Sequence, residues 1–179
     1  MPPGKYPLVK ALCDSDFDGC VCAAILKTVY PDLQLFFSDP GKVQAGNLND
    51  WVDTQTVIAD LPYISGCGIY FDHHIGNKPQ QAHPGRWENS PSAAEILYRY
   101  YQAYPGIAKF SCVIAELGRF DSGNVTLADI KNPSSYFNIG FAIGSLFLVE
   151  PGVYLSMNGR LFSAGEAMKN VEIGRFEER

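Results

Sequence analysis

The sequence predicts an α/β fold: a doubly wound, mainly parallel sheet with helices on both of its faces. Two observations support this prediction. Short apolar runs alternate along the chain with segments of helical pattern. Three of those runs end directly on aspartate or histidine, at 14, 60 and 72–74. At 179 residues the chain can bury a sizeable core. We therefore expect residues 1–179 to form a single domain, either alone or as the N-terminal part of a longer protein.

The elements of the N-terminal half follow from the apolar runs and the residues that break them. The first helix is expected to end before Pro31, because proline cannot continue a helix. A polar segment rich in Gly, Pro and Gln is expected to be a loop over 75–89. The predicted strands are 8–13, 33–37, 56–59 and 68–71, and the predicted helices are 19–30 and 43–50.

Helices are expected to dominate the C-terminal half. Ser92 and Glu95 have the spacing of a capping box, which predicts a helix that runs to about residue 104. A second helix over 107–118 leads into an acidic turn that contains Asp121. Further helices packed on the sheet are expected over 137–147 and 161–169, and residues 175–179 are expected to be a solvated helix start or a cut edge of the chain.

Composition excludes several classes of protein. Hydrophobic residues make up 46% and charged residues 18%, which is typical of a folded globular domain. The formal net charge is −5, so a broadly basic nucleic-acid surface is not indicated. The longest apolar run, 139–149, is too short to cross a bilayer. Five cysteines without a C-x-x-C pair favour buried thiols in a reducing cytoplasm.

Three aspartates follow the first predicted strand at alternate positions. Asp14, Asp16 and Asp18 repel one another strongly unless cations lie among them, so the segment is interpreted as a metal cradle. A solvated acidic turn is the simpler alternative. An EF-hand is rejected, because its twelfth position would be Ile25 where a bidentate Glu is needed. A haloacid-dehalogenase-type opening, strand then D-x-D-G, fits Asp16 to Gly19 better.

Two adjacent histidines after Asp72 strengthen the interpretation of a metal site. His73 and His74 end the fourth predicted strand, and Asp60 ends the third. The carboxyl ends of parallel strands meet at one edge of a sheet, so these side chains should converge there with the acidic triplet. Imidazole together with carboxylates suits manganese or a similar transition metal.

Four motifs in this order resemble the DHH phosphoesterase family. The resemblance covers about residues 8–125 and disfavours the dehalogenase alternative, which does not predict the Asp-His-His tripeptide. Many family members carry histidine where this chain has Asp14, and the RecJ-like branch is similar in having aspartate. No Gly-Gly-Gly-His motif of a C-terminal substrate-binding domain follows. The matching segments are Asp14-Ser-Asp16-Phe-Asp18-Gly19, Asp60 after Val-Ile-Ala, Phe-Asp72-His73-His74, Asp121 in Gly-Arg-Phe-Asp-Ser-Gly, and Ser90 to Glu95.

The resemblance implies a site for two manganese ions, with Mg²⁺ or Co²⁺ as alternatives. Asp60 would bridge the ions, and His74 would contact the phosphoryl oxygen while Asp72 orients a neighbouring histidine. Arg119 is a further candidate for binding the substrate phosphate. The implied metal ligands are Asp14, Asp16, Asp18, Asp60, His73 and Asp121.

The expected activity is metal-dependent hydrolysis of phosphoester bonds in short nucleotides or single-stranded nucleic acid. Hydrolysis of pyrophosphate or polyphosphate would use the same metal chemistry and is the alternative among enzymes. A regulatory module that binds nucleotide or metal without turnover is the alternative from another class. No membrane partner is expected.

Overall fold

The structure is a computed structural model that describes residues 7–146 and the short segments 154–157, 160–163, 167–170 and 175–178. The chain divides into two compact units, residues 1–124 and 125–179.

The first unit is built on a five-stranded sheet in which every neighbouring pair is parallel. The spatial order is β2-β1-β3-β4-β5. The sheet therefore grows from β1 in both directions, and the crevice at the carboxyl ends of β1 and β3 is where such sheets place their ligands. The strands are β1 (Lys10–Asp14), β2 (Gln34–Ser38), β3 (Thr56–Ala59), β4 (Ile69–Asp72) and β5 (Gly85–Trp87).

Helices cover both faces of this sheet, which confirms the predicted fold class. Alternate strand residues point to opposite faces. On one face Leu12, Ile58 and Tyr70 share a buried cluster with Val43 of the short helix α2. On the other face the ring of Phe71 packs 4.9 Å from that of Tyr100 on α3. The helices of this unit are α1 (Phe17–Val29), α2 (Pro40–Gln44), α3 (Ala93–Tyr100) and α4 (Ser111–Asp121).

Three element boundaries differ from the prediction. Helix α2 lies at Pro40–Gln44 rather than at the expected 43–50, because the Asp39 side chain caps it by accepting from the Lys42 amide at 3.0 Å. The expected loop over 75–89 contains a 3₁₀ turn, Ile75–Asn77, and the edge strand β5. Helix α3 ends at Tyr100, and a 3₁₀ turn over Ile107–Phe110 precedes α4.

The described residues of the second unit form two helices and two antiparallel pairs of strands. Its helices are α5 (Leu127–Lys131) and α6 (Ser135–Leu146), so the helix expected over 137–147 is present as far as residue 146. The prediction of helices at 161–169 and 175–179 is wrong, because strands lie at 160–163, 167–170 and 175–178. Asn158-Gly159 stands between the first two of these strands and is a strong hairpin signal that the helical interpretation overlooked. The strands are β6 (Tyr154–Met157), β7 (Arg160–Ser163), β8 (Ala167–Asn170) and β9 (Arg175–Glu178).

Across the part of the chain that the structure describes, none of the helices has both the length and the apolar character needed to cross a bilayer.

Candidate metal centre

The ends of three neighbouring strands and of helix α4 bring carboxylates and imidazoles into one cluster. Asp14 is the last residue of β1, Asp60 follows β3, and His73 follows β4. Asp121 is the last residue of α4 rather than part of a turn beyond it. Ligand atoms lie within 4.8 Å of one another in three overlapping groups: Asp14 with Asp16 and Asp60; Asp18 with His73 and Asp121; and Asp60 with Asp72, His73 and His74. All six expected metal ligands thus lie in these groups.

Asp60 occupies a backbone conformation that is rare for residues other than glycine. Its φ angle is 62°, and its amide donates to the carbonyl of Phe71 at 2.9 Å. The side chain is 1% exposed, and neither carboxylate oxygen has a hydrogen-bond partner among the described residues. Burial, followed by the charges of Asp18 and Asp16, raises the pKa of Asp60 well above its usual range. Strain combined with an unsatisfied buried carboxylate is characteristic of a functional position.

His73 presents one ring nitrogen to the carboxylates. Its Nδ1 lies 2.9 Å from the carbonyl oxygen of Ser90. A carbonyl can only accept, so Nδ1 carries the proton in the neutral ring and Nε2 keeps its lone pair. This Nε2 is buried without a hydrogen-bond partner among the described residues. It lies 3.3, 3.6 and 3.7 Å from carboxylate oxygens of Asp121, Asp60 and Asp18, respectively.

One ring nitrogen of His74 contacts Asp72, and the other ring nitrogen takes no part in that contact. Its Nδ1 lies 2.8 Å from Oδ1 of Asp72, and half of its side chain is exposed. Asp72 is fully buried and also accepts from the Tyr70 hydroxyl at 2.8 Å. Burial alone would raise the pKa of Asp72, but hydrogen bonds from His74 and Tyr70 outweigh it and hold the pKa below its usual value. The same hydrogen bond raises the pKa of His74.

The first two members of the acidic triplet lie where β1 leads into α1, with Asp14 at the end of β1 and Asp16 in the turn that follows. Asp14 is 8% exposed and accepts from the Ser15 amide at 2.6 Å. Burial, followed by the charge of Asp16, raises the pKa of Asp14 to about 6. Asp16 caps α1 by accepting from the Gly19 amide at 2.9 Å, and its second oxygen is available to a cation.

Asp18 lies on α1 and also caps a second helix. Its two carboxylate oxygens accept from the amides of Ala93 and Ala94 at 2.6 and 2.8 Å, at the N-terminus of α3. It is fully buried, and burial, followed by the charge of Asp121, raises its pKa. One carboxylate therefore fixes α3 against α1 and faces His73. The sequence shows the Asp18 motif but not this long-range contact.

Arg119 lies on α4, two residues before Asp121. Its guanidinium lies 3.7 Å from the carboxylate of Glu116, one turn earlier on α4. It lines a groove of about 380 Å³ with Pro91 and Glu95, and none of the six candidate ligands lines that groove. Tyr70, by contrast, was not among the expected site residues. Its position two residues before Asp72 on the same strand, and so on the same sheet face, is the signal that could have identified it.

These residues fit divalent cations. Oxygen and imidazole ligands are concentrated at one point, three of their buried polar atoms have no hydrogen-bond partner among the described residues, and burial raises the pKa values of Asp14, Asp60 and Asp121. A cation would satisfy the Asp60 oxygens and the His73 nitrogen together. The mixed carboxylate and imidazole ligand set is the kind that manganese accepts.

Comparison with known proteins shows a similarity at the level of structure. No model of a known protein family matches the chain, and no curated protein matches it. Among solved structures, the chain is similar to the pGpG-specific phosphodiesterase PggH from Vibrio cholerae, with a TM-score of 0.63 and 24% sequence identity. The similarity covers 75% of this chain and 44% of that one, so the chain spans less than half the length of its neighbour. The α/β fold of the first unit is thus one that a phosphodiesterase uses.

Proposed function

We propose that this chain is a metal-dependent phosphodiesterase that hydrolyses phosphoester bonds in short nucleotides. One observation carries the proposal. Asp60 and His73 present three buried, unsatisfied ligand atoms at the carboxyl edge of a parallel sheet, surrounded by further carboxylates. The name of the structural neighbour, a pGpG-specific phosphodiesterase, supports a linear dinucleotide as the substrate class. The net charge of −5 also favours a short substrate over a long nucleic acid.

Two groups of side chains would hold two cations, with manganese as the proposed metal. Asp14 and Asp16 would form one group, and Asp18, His73 and Asp121 would form the other. Asp60 belongs to the first group and lies 3.6 Å from His73 of the second, so it is the candidate bridging ligand. Two such cations supply Lewis acidity, which lowers the pKa of a nucleophilic water and offsets charge on the phosphoryl oxygens.

The other side chains would act on the substrate directly or hold those that do. His74 is half exposed, and its raised pKa keeps the ring protonated over a wider pH range. It would donate a hydrogen bond to a phosphoryl oxygen as negative charge develops there. Asp72 and Tyr70 would keep that imidazole oriented. Five free thiols are compatible with the proposed cytoplasmic location, where cysteines stay reduced.

The test compares metal-dependent turnover on three substrates. Chelator-stripped protein is assayed with restored manganese on a 5′-phosphorylated dinucleotide, a short single-stranded oligonucleotide and pyrophosphate. We expect the dinucleotide to be cleaved fastest, and Asp60→Asn to lower kcat by at least about 10²-fold. Asp32→Asn, at an exposed aspartate outside the cluster, is the matched control and should retain activity.

Preference for pyrophosphate would replace the proposed substrate class. Binding of manganese and dinucleotide without any turnover would instead identify a regulatory binding module.

A further inference from the structure

We propose that a groove beside the metal centre binds a nucleobase of the substrate. This inference rests on the proposed function and names the part of the substrate that the site selects. The groove has a volume of about 420 Å³, which lies within the usual range for small-molecule sites. We call it the amide groove, because four of its side chains are carboxamides. The residues that matter here are Gln44, Tyr63, Asn77, Lys78, Gln80 and Gln81.

The walls of the amide groove continue from the strands that build the metal centre. One wall is the segment 62–65, which begins two residues after Asp60, and another is the segment 76–81, which begins two residues after His74. An extended chain advances at most about 3.6 Å per residue, so Gly76 lies within roughly 7 Å of His74 along the backbone. The groove is therefore within the reach of a nucleotide whose phosphate lies at the metal centre.

The chemistry of the amide groove differs from that of the metal centre. Among the described residues its lining contains no carboxylate, and Lys78 is the only charged side chain there. Each carboxamide offers both a donor and an acceptor, which is what the hydrogen-bonding edge of a nucleobase requires. A groove of this kind does not suit a metal ion or the oxygens of pyrophosphate alone. It suits a neutral, flat ligand with alternating donors and acceptors.

Tyr63 provides an aromatic surface in a fixed orientation. Its ring lies nearly perpendicular to that of Tyr70, with centroids 5.1 Å apart, and the His83 ring is 5.7 Å away. The side chain is half-buried, so part of it faces the groove. Stacking of a base on such a ring contributes about 1–3 kcal/mol in single-stranded nucleic-acid complexes. Tyr63 is therefore the residue on which we expect the base to stack.

The wall formed by segment 76–81 is hydrogen-bonded to the backbone of His74. The backbone amide of Asn77 donates to the His74 carbonyl at 3.1 Å, and the Trp87 indole donates to the same carbonyl at 2.9 Å. The ammonium of Lys78 lies 4.9 Å from the centre of the Trp87 ring. The backbone that presents His74 and the backbone that presents the carboxamides are thus held together. A base in the groove would fix the position of its phosphate relative to His74.

The test measures how much of the affinity comes from the base. A 5′-phosphorylated dinucleotide with a hydrolysis-resistant phosphorothioate linkage is titrated into the manganese-loaded protein by calorimetry, beside the same backbone without bases. We expect Tyr63→Leu to raise Kd for the base-containing ligand by about tenfold. The Kd for the abasic ligand should not change, and Tyr63→Phe, which keeps the ring, should retain most of the affinity.

Thermal unfolding would reveal a folding defect in Tyr63→Leu, and a second variant tests the inference independently of it. Gln80 and Gln81 are exposed, so the double variant Gln80→Ala, Gln81→Ala should fold normally and weaken only the base-containing ligand. Equal affinity of wild-type protein for both ligands, or equal losses for both in the variants, would overturn the inference.

The two proposals fail in different ways. If wild-type protein hydrolyses the natural dinucleotide but Tyr63→Leu and the Gln80, Gln81 double variant leave its KM unchanged, the amide groove is overturned and the phosphodiesterase stands. If base-dependent binding through Tyr63 occurs without hydrolysis, the groove is supported and the proposed enzyme activity is overturned.

Discussion

Asp60 shows at the scale of a residue how the proposed function conflicts with folding stability. A fully buried carboxylate without hydrogen bonds is costly, and a left-handed backbone at a residue other than glycine adds strain. His73 repeats the pattern, because its Nδ1 is satisfied by Ser90 while its Nε2 is not. Neither arrangement stabilises the fold by itself. Both would become favourable with a cation coordinated by these atoms.

The two adjacent histidines are expected to respond differently to substitution. His73→Ala removes a proposed ligand and should weaken manganese affinity by at least about tenfold. His74→Ala should leave the metal content unchanged and lower kcat by about 10²-fold, because only a donor to the phosphoryl oxygen is lost. Metal content after gel filtration, measured by mass spectrometry beside steady-state kinetics, separates the two effects. Loss of manganese in both variants would assign His74 to the metal instead.

At the scale of an element, helix α1 depends on how closely its first turn approaches β1. A Cβ atom on Gly19 would overlap the backbone carbonyl of Asp14. The glycine therefore permits the sharp strand-to-helix connection that brings Asp14, Asp16 and Asp18 to one place. Asp18 in turn fixes the N-terminus of α3 through two amides. One short segment thus sets the position of two helices and three proposed ligands.

Gly19→Ala is expected to destabilise the fold by about 2–4 kcal/mol, since the contacted atoms are backbone and cannot move aside. Gly76→Ala is the matched control, because nothing lies within 4 Å of the position its Cβ would take. Urea unfolding of both variants measures the difference. A change in Gly19→Ala below about 1 kcal/mol would contradict the close approach of α1 to β1.

At the scale of the first unit, the cluster concentrates like charges in its interior. Burial raises the pKa of Asp14 to about 6, and the pKa values of Asp60 and Asp121 rise for the same leading reason. Unfolded aspartates titrate near pH 4. Above about pH 4 the folded metal-free protein therefore binds more protons than the unfolded chain, up to the raised pKa of each of these aspartates, which for Asp14 is about 6. The contribution of these groups to the stability of the folded state is therefore fully present below about pH 4, and it is lost as the pH rises through their folded pKa values.

Metal-free protein should consequently melt at a higher temperature at pH 5 than at pH 7.5, by at least about 3 °C. Manganese should reverse this order, because its binding requires deprotonated carboxylates and is strongest at pH 7.5. Differential scanning fluorimetry with chelator or with manganese at both pH values tests the expectation. A metal-free protein that is more stable at pH 7.5 would contradict it.

Asp60→Asn separates charge repulsion from any other cause of this pH dependence. Asparagine tolerates the left-handed backbone and carries no charge. The metal-free variant should therefore be more stable than wild-type protein at pH 7.5, and it should gain less from manganese. Lower stability of the metal-free variant at pH 7.5 would mean that the Asp60 charge stabilises the fold.

The sequence by itself determined four of the five strands of the first unit's sheet and the residues at its carboxyl edge, whereas the edge strand β5 fell in an expected loop. Apolar runs that end on Asp14, Asp60 and Asp72 predict strands and their order along the chain, because the signal for each is local. The spacing of Ser92 and Glu95 likewise predicts where α3 begins, and the Ser92 hydroxyl accepts from the Glu95 amide at 3.1 Å. Local patterns failed in the second unit, where strands at 160–163 and 167–170 replace an expected helix.

Only the tertiary structure decided which of these side chains meet and which remain unsatisfied. The contact of Asp18 with Ala93 and Ala94 joins residues 75 and 76 positions apart. The carbonyl of Ser90 sets the tautomer of His73, and backbone groups of this kind are identical at every residue in a sequence. The amide groove likewise exists only because β3 and β4 are neighbours and bring their following segments together. The sequence identifies the residues that form the site, whereas burial and hydrogen bonding across the sheet determine the chemistry of those residues.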